Sequence, residues 1–374
     1  MQVGLSRARR STSPEVDGSR SAQAHSDGAV EASGTRRLLT QRRLQVVLGL
    51  IWLLDAGLQF QPYMFSREFV ANLLAMNDMF QPHVIAVTIE KITELLVPHA
   101  AAWNTLFATT QLAVGVGLLF RRSVKPALLL SFAWVLGVWV VGEGLGGLLT
   151  PIMGSPLAGF PGPVLIYGLV GLVLWPSGRP GRTSVASAGP LGAQGTRVLW
   201  AALWFGMSIE QLRPAPGLSP SSVMTVIVSM NEPGEPTWLV HLDKVATTAI
   251  SSIGSPLVLV LALVEVTIGV LVLRGHQVKA ALWAAIVTSA LFWVVGQNFG
   301  GILAGHATDP SAGPLYVLLA FSLYPLGTNR QEEKRCTAYV MARSAASCWT
   351  SVSEGASPVA PGSSFEERTD GHQL

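Results

Sequence analysis

Residues 139–149 read WVVGEGLGGLL, and residues 293–303 read WVVGQNFGGIL. The two stretches are identical at seven of eleven positions, and each lies inside a long apolar run. The first copy carries a glutamate where the second carries a glutamine. A sequence motif that occurs twice indicates an internal duplication. Its position within long apolar runs indicates a membrane protein.

The match extends well beyond these two stretches. A shift of 154 residues aligns Gln111 with Glu265 and Lys125 with Lys279. A shift of 152 residues aligns Trp52, Gln59 and Pro62 with Trp204, Gln211 and Pro214, and Trp175-Pro176 near the end of the first copy resembles Tyr324-Pro325. The sequence therefore predicts two tandem copies of one structural unit.

Composition favours the lipid bilayer as the surroundings of both copies. Of the 374 residues, 49% are hydrophobic and only 13% are charged, whereas about a quarter are charged in average soluble proteins. A helix of about 20 apolar residues crosses the bilayer core. Eight runs are candidate spans: 44–60, 100–120, 126–149, 162–176, 197–212, 255–274, 280–303 and 313–326. We expect an all-α, polytopic membrane helical bundle, built as two tandem repeats of four transmembrane helices.

These runs divide the chain into five parts. We predict a disordered cytoplasmic tail (1–43), a first four-span repeat (44–176), a Gly/Ser/Pro-rich flexible cytoplasmic linker (177–197), a second repeat (198–326) and a mostly disordered cytoplasmic tail (327–374). Within the repeats, 63–99 and 215–253 are amphipathic, which predicts external helices at the membrane interface.

Basic residues predict the orientation. Arginine and lysine concentrate in the two tails, the linker and the short loops around 121–125 and 274–279, so the positive-inside rule places both termini in the cytoplasm of a bacterial plasma membrane. The net charge of +3 therefore reflects topology, and we predict no nucleic-acid partner. Cys336 and Cys348 fall in the reducing cytoplasm, where we expect free thiols.

The glycines of the opening stretches suit close helix packing. On a helical projection of the third span, Gly142, Gly146 and Gly147 share one face with Glu143, which is expected to point into the bundle. The pattern small-xxx-small lets helix backbones approach closely. The second copy repeats it with Gly296, Gly300 and Gly301.

Acidic residues inside the predicted spans are the candidate functional groups. They are Asp55, Glu143, Glu210 and Glu265. A charge at the bilayer centre costs at least about 2.5–3.5 kcal/mol, so each carboxyl requires a partner, a polar cavity or a proton. The amides of Gln111, Gln297 and Asn298 could complete a polar interior. Two interpretations remain open: structural hydrogen bonding, or a site for a ligand, proton or cation.

No motif predicts catalysis or a resident metal. The sequence has no phosphate-binding loop, nucleophile elbow or paired zinc-binding histidines. Met76, Met79 and His83 could share a helix face and bind copper, but soft ligands without cysteine make a weak set. We therefore expect no catalytic residue and no metal ligand, and the chain is more readily interpreted as a non-enzyme.

A family resemblance adds expectations about function. Residues 265–273 (EVTIGVLVL), a short basic turn and the alanine-rich residues 279–285 resemble the second and third helices of the DoxX/DoxD-like membrane family. The first copy departs from this pattern at Gln111, and GHATDP at 305–310 is a second distinctive stretch. The resemblance implies a small helical membrane module, some relatives of which work beside quinone-linked or thiol-redox enzymes.

Three functions follow as hypotheses. The first is a non-catalytic or quinone-side partner in a membrane redox or envelope-stress complex, with quinone as the possible cofactor and a redox enzyme as the partner. The second is a small-solute or proton-coupled transporter that uses the intramembrane carboxylates. The third is a membrane scaffold without a ligand.

Overall fold

The regular structure of the chain is helical wherever it is described. The computed structural model describes residues 39–326, apart from 79, 151–153, 180, 182, 214 and 231–232, and these residues contain twelve α-helices and no β-strand. They belong to one compact unit. Almost all of the predicted tails, together with Met79 and both cysteines, lies outside the described residues.

The helices follow the same order in two halves of the chain. The first half contains α1 (Gln41–Leu58), α2 (Arg67–Asp78), α3 (His83–Leu96), α4 (Ala100–Leu119), α5 (Val124–Val141) and α6 (Pro163–Val173). The second half contains α7 (Gly192–Leu212), α8 (Pro220–Val228), α9 (Thr237–Ile253), α10 (Ser255–Arg274), α11 (Val278–Val294) and α12 (Ala312–Leu323). In the first half, α1 packs along α4, and α5 packs against both α4 and α6. In the second half, α7 packs along α10, and α11 packs against both α10 and α12. Helices α6 and α12 are in contact between the halves.

Local sequence explains where several helices begin and end. The α10 helix starts beside Gly254 with proline at its second position and stops at Gly275, whose φ of 70° is the left-handed conformation that glycine adopts easily. In α8 the Ser219 side chain accepts a hydrogen bond from the backbone N–H of Ser222, which is the usual role of serine at a helix N-terminus.

Within the described residues, three helical segments are long and apolar enough to cross a membrane: Val124–Val141, Ser255–Arg274 and Val278–Ala304, the last being α11 with the turn that follows it. Helices α6 and α12 are apolar but shorter. Large apolar side chains on α10, including Leu259, Val260 and Leu263, are exposed, and an uncovered apolar face of this kind suits contact with lipid. The architecture indicates an all-helical membrane protein.

The glycine stretches are turns and not continuous helix, so the expected helical projection is wrong. Helices α5 and α11 end at Val141 and Val294, and short 3₁₀ turns follow at Gly144–Gly147 and Asn298–Ala304. Leu145 and Gly146 have φ values of 59° and 62°, which break the helix. A Cβ on Gly146 would lie 1.8 Å from the Pro161 carbonyl oxygen. Gly146, and likewise Gly300 in the second half, therefore permits a close approach between a turn and the following loop, and not between two helices.

The predicted flexible linker differs from expectation where it is described. Val185 and Ala186 are buried in the main hydrophobic core, and the backbone N–H of Leu326 donates to the Thr183 carbonyl at 2.9 Å. The next helix already begins at Gly192. Apolar residues within a Gly/Ser-rich stretch thus fix this segment against the helices.

Candidate functional site

A cavity of about 350 Å³ lies among the helices of the first half. This volume is within the range of about 300–1,000 Å³ that is typical of small-molecule sites. Most of its wall is apolar and aromatic, formed by residues that include Trp103, Phe107, Trp134, Phe69, Leu73, Leu74, Ile92, Leu96, Val138 and Val141. We refer to it below as the first-half cavity.

Polar side chains also contribute to the lining of this cavity. They are the carboxyl groups of Asp55, Glu143 and Asp309, together with Gln59, Asn104, Gln111, Tyr167 and Thr308. Among the described residues that line the cavity, none is a lysine, arginine or histidine. The cavity thus combines an apolar wall with an acidic region that lacks a basic partner in its lining.

Helix periodicity brings Asp55 into the interior. In α1, Leu48, Trp52, Asp55 and Ala56 are all buried, as expected for positions three and four residues apart on one helix face. Asp55 has only 2% of its surface exposed, and its Oδ1 atom has no hydrogen-bond partner among the described residues. The Tyr167 hydroxyl lies beside this carboxyl, and the Tyr167 ring is 4.7 Å from the Trp52 ring.

Glu143 reaches the cavity from the turn after α5. Its Oε1 atom accepts a hydrogen bond of 2.8 Å from the backbone N–H of Val164, one of the N-terminal amides of α6 that have no partner within the helix. Its Oε2 atom is buried without a hydrogen bond in the part of the chain that is described. Glu143 therefore combines a helix-capping role with an unpaired oxygen atom.

Asp309 comes from the other half of the chain, in the loop between α11 and α12. Its oxygens accept hydrogen bonds from the Thr308 hydroxyl at 2.9 Å and the Ser311 backbone N–H at 2.7 Å. Burial raises the pKa of Asp309 because it disfavours the charged form, and these two hydrogen bonds oppose the rise. Sequence reasoning missed this residue because it lies outside the predicted spans, although the distinctive GHATDP stretch contains it.

Each half sends a loop into the other half. From the second half, Thr308 and Asp309 line the first-half cavity, and the Ala307 carbonyl accepts a hydrogen bond from Gln61 at 3.4 Å. From the first half, Leu157 packs in a hydrophobic cluster of second-half residues, and the Pro156 carbonyl accepts a hydrogen bond from Gln297 at 3.4 Å.

The equivalent residues of the second half are apolar and buried. A shift of 154 residues carries Val70, Leu73, Leu74, Leu96, Asn104 and Val138 of the cavity wall onto Met224, Ile227, Val228, Ile250, Val258 and Phe292. These six residues form a buried hydrophobic cluster together with Leu157. Equivalent positions therefore enclose a cavity in one half and a packed core in the other.

The predicted polar residues do not form one site. Asp55, Gln111 and Glu143 meet at the first-half cavity, but Glu210 does not line it and instead forms an ion pair with Arg213 at 2.8 Å. Glu265 is fully buried in α10, and neither of its oxygens has a hydrogen-bond partner among the described residues.

The two amides of the second turn have structural partners. Gln297 Oε1 accepts a hydrogen bond of 3.1 Å from the Gly313 backbone N–H at the start of α12, which is the role of Glu143 in the first half. Asn298 donates to Glu235 at 2.9 Å and to Asp243 at 3.1 Å. Burial raises the pKa of Asp243 to about 6, the Asn298 hydrogen bond opposes this rise, and the nearby Glu235 adds to it.

No group of three histidine, cysteine, aspartate or glutamate side chains within the described ranges is arranged to hold a metal ion. In comparisons with known proteins, no family model, curated protein or solved structure matches this chain. The function must therefore be inferred from the cavity itself.

Proposed function

We propose that the chain is a polytopic protein of the bacterial plasma membrane with two tandem repeats of four transmembrane helices and both termini in the cytoplasm. The repeated helix order supports this proposal. So do two matching contacts: the Trp139 indole donates to the Pro161 carbonyl at 2.8 Å, and the Trp293 indole donates to the Pro310 carbonyl at 2.6 Å. Single cysteines placed in 177–197 should be labelled from the cytoplasm, and those in 63–99 and 215–253 from outside; labelling on the opposite sides would contradict this topology.

We infer that this protein binds a small amphipathic molecule in the first-half cavity. The observation that carries the inference is the combination of a largely apolar wall with several buried polar groups in the lining of one cavity. Binding sites for small molecules typically have this composition. A scaffold without a ligand would gain more from a packed interior, such as the one in the second half.

The exchanged loop favours a carrier or transporter among ligand-binding proteins. Asp309 belongs to the second half but lines the first-half cavity, so movement of one half relative to the other would alter the polar region of the site. Transporters with internal repeats commonly work by movement of one repeat against the other. In this interpretation the chain binds its ligand by itself and needs no catalytic group.

Filling the cavity tests the binding function. Val138→Phe introduces the residue that the second half has at Phe292, which should occupy the cavity and abolish the binding of amphipathic ligands to the purified protein, measured by titration in lipid nanodiscs. The reciprocal variant Phe292→Val makes the opposite exchange at the equivalent position of the second half. Phe292 does not line the first-half cavity, so this variant should leave binding intact. Equal affinity of Val138→Phe and the unmodified protein would refute the proposed site.

A quinone-side partner in a redox complex is the second candidate, proposed from the DoxX/DoxD resemblance. Two donors in the cavity lining, the Trp52 indole N–H and the Tyr167 hydroxyl, could bind the carbonyl oxygens of a quinone. The Trp52 N–H has no partner among the described residues. Specific binding of a naphthoquinone and co-purification with a redox enzyme would support this role. Absence of both would exclude it.

A further inference from the structure

We propose that the ligand of the first-half cavity is an amphiphilic organic cation with N–H donors on its charged group, such as a protonated amine or amidine. This inference rests on the proposed binding function and specifies the chemical class of the ligand. Three features of the cavity carry it: its unpaired hydrogen-bond acceptors, its carboxyl groups and its aromatic wall.

Several oxygen atoms of the cavity lining are buried without a hydrogen-bond partner. Within the described residues, the buried lining oxygens without a hydrogen bond are Asp55 Oδ1, Gln59 Oε1, Asn104 Oδ1, Gln111 Oε1 and Glu143 Oε2. Among these, Asp55 lies beside the Tyr167 hydroxyl, which can donate to it, and the Trp52 indole is a buried donor without a partner. A buried acceptor left without a hydrogen bond is destabilising, because it has lost its hydrogen bonds to water. A ligand rich in N–H groups would satisfy these oxygens, whereas a carbonyl ligand would bring further acceptors.

The charge of the cavity lining also favours a cationic ligand. The carboxyls of Asp55, Glu143 and Asp309 contribute to one lining in which the described residues include no basic side chain. This differs from Glu210, whose carboxylate has Arg213 as an ion-pair partner. Buried charges are normally paired, because the low dielectric of the interior makes an isolated ion costly. A cationic ligand would supply the missing partner.

The wall of the cavity suits the rest of such a ligand. The ring of Phe107 lies 5.3 Å from that of Trp134 and 6.2 Å from that of Trp103, so three aromatic side chains form one continuous surface. Aromatic faces attract cations and provide apolar area for a hydrocarbon body. The site therefore matches an ammonium group attached to an aryl or alkyl chain.

We expect one such site per chain, because the polar residues of the first-half cavity have apolar equivalents elsewhere in the duplication. A shift of 152 residues places Met207 at the position of Asp55, and a shift of 149 residues places Phe160 at that of Asp309. Both replacements are buried apolar residues. Asn104 is likewise replaced by Val258. The second half thus lacks the two aspartates and the amide that make the first-half cavity polar.

Three probes with a common phenylbutyl group test the inference: 4-phenylbutylamine, its trimethylammonium analogue and 4-phenylbutanol. Binding to the full chain in lipid nanodiscs is measured against empty nanodiscs, which corrects for partition into lipid. We expect one site, with the amine binding about 10–100-fold more tightly than the alcohol, as expected for charge-assisted hydrogen bonds. The trimethylammonium analogue should bind with intermediate affinity, because it keeps the charge and lacks N–H donors.

Charge-neutralising variants assign the effect to the cavity. Asp55→Asn and Asp309→Asn should each weaken binding of the amine about 10-fold or more and leave the affinity for the alcohol nearly unchanged, which also shows that the variants are folded. Glu265→Gln, which introduces the residue that the first half has at Gln111, removes a buried acid outside the cavity and should leave all affinities unchanged.

The outcomes separate the two levels of inference. If the alcohol or a naphthoquinone binds as tightly as the amine, the cation proposal is overturned while the binding site stands. If none of the probes binds to the unmodified protein, the cation proposal and the proposed binding function fail together. Because this comparison uses the unmodified chain, it remains decisive even if a variant fails to fold.

Discussion

The two halves of this protein have the same backbone plan and different interiors. In the first half, Asp55 from α1 and Asp309 from the exchanged loop line a cavity. The equivalent positions are Met207 of the second half and Phe160 in the first-half loop before α6, and both are buried in hydrophobic packing. Polar and apolar residues therefore occupy matched positions on a common framework.

This difference separates residues that maintain the fold from residues that could serve binding. Gly146 and Gly300 make the same close approach to the following loop in both halves, and Glu143 and Gln297 accept equivalent hydrogen bonds at the starts of α6 and α12. Such shared contacts define the framework. The residues that differ between the halves enclose the cavity, and we therefore place the function there.

The largest expected effect concerns the shared glycine turns. Gly146→Ala would place a Cβ 1.8 Å from the Pro161 carbonyl, and Gly300→Ala would place one 2.5 Å from the Asp309 carbonyl. We expect each variant to lose more than about 4 kcal/mol of stability, seen as loss of monodisperse protein in detergent and a strongly lowered melting temperature. Equal damage in both halves would strengthen the view that the turns are architectural.

Gly301→Ala is the control for backbone strain alone. Gly301 also has a left-handed φ, of 74°, but its Cβ would meet no atom closer than 3.8 Å. A left-handed alanine costs about 1–2 kcal/mol, so this variant should remain folded. If Gly146→Ala is no less stable than Gly301→Ala, close contact with the loop is not what the first turn requires.

A second, intermediate effect comes from exchanging interior residues between the halves. Met207→Asp places a carboxyl in a packed apolar environment with 2% exposure and should cost about 3 kcal/mol, measured by thermal unfolding in detergent. Asp55→Met should instead raise stability by about 1 kcal/mol, because it removes an unpaired buried carboxyl, and should abolish binding of the amine probe.

Met207→Asn separates charge from shape, since asparagine has nearly the size and outline of aspartate. It should destabilise the protein less than Met207→Asp does. A stable Met207→Asp variant would show that the second half has room or partners for a carboxyl, and the contrast between the two interiors would then be smaller than we infer.

The smallest expected effect tests the shared capping role. Glu143→Ala and Gln297→Ala should each lower stability by about 1 kcal/mol, the usual cost of losing a cap, because the Val164 and Gly313 backbone N–H groups lose their acceptors. Glu143→Gln keeps an acceptor oxygen and should change the melting temperature little while weakening amine binding. A marked loss of stability in Glu143→Gln would show that the carboxylate charge, and not only its hydrogen bond, supports the fold.

Sequence reasoning predicted the helices better than the site. The apolar run 255–274 coincides with α10. Its ends could be predicted because the proline at the start and the glycine after the end are local signals of helix boundaries. Asp55, Gln111 and Glu143 were predicted as interior polar groups and do line one cavity. Glu210 and Glu265 were grouped with them only because all are acids within predicted spans, a criterion that contains no information on distance.

The sequence by itself determined the apolar helices, since these follow from composition, and it predicted the correspondence between the two halves from identical residues at a constant spacing. Only the tertiary structure decided that Glu143 lies in a turn, that Asp309 joins Asp55 from more than half the chain away, and that Leu157 helps to fill the opposite space. The physical reason is that left-handed turns redirect the chain after α5 and α11. The path of each loop then depends on packing against the other half, which no local pattern records.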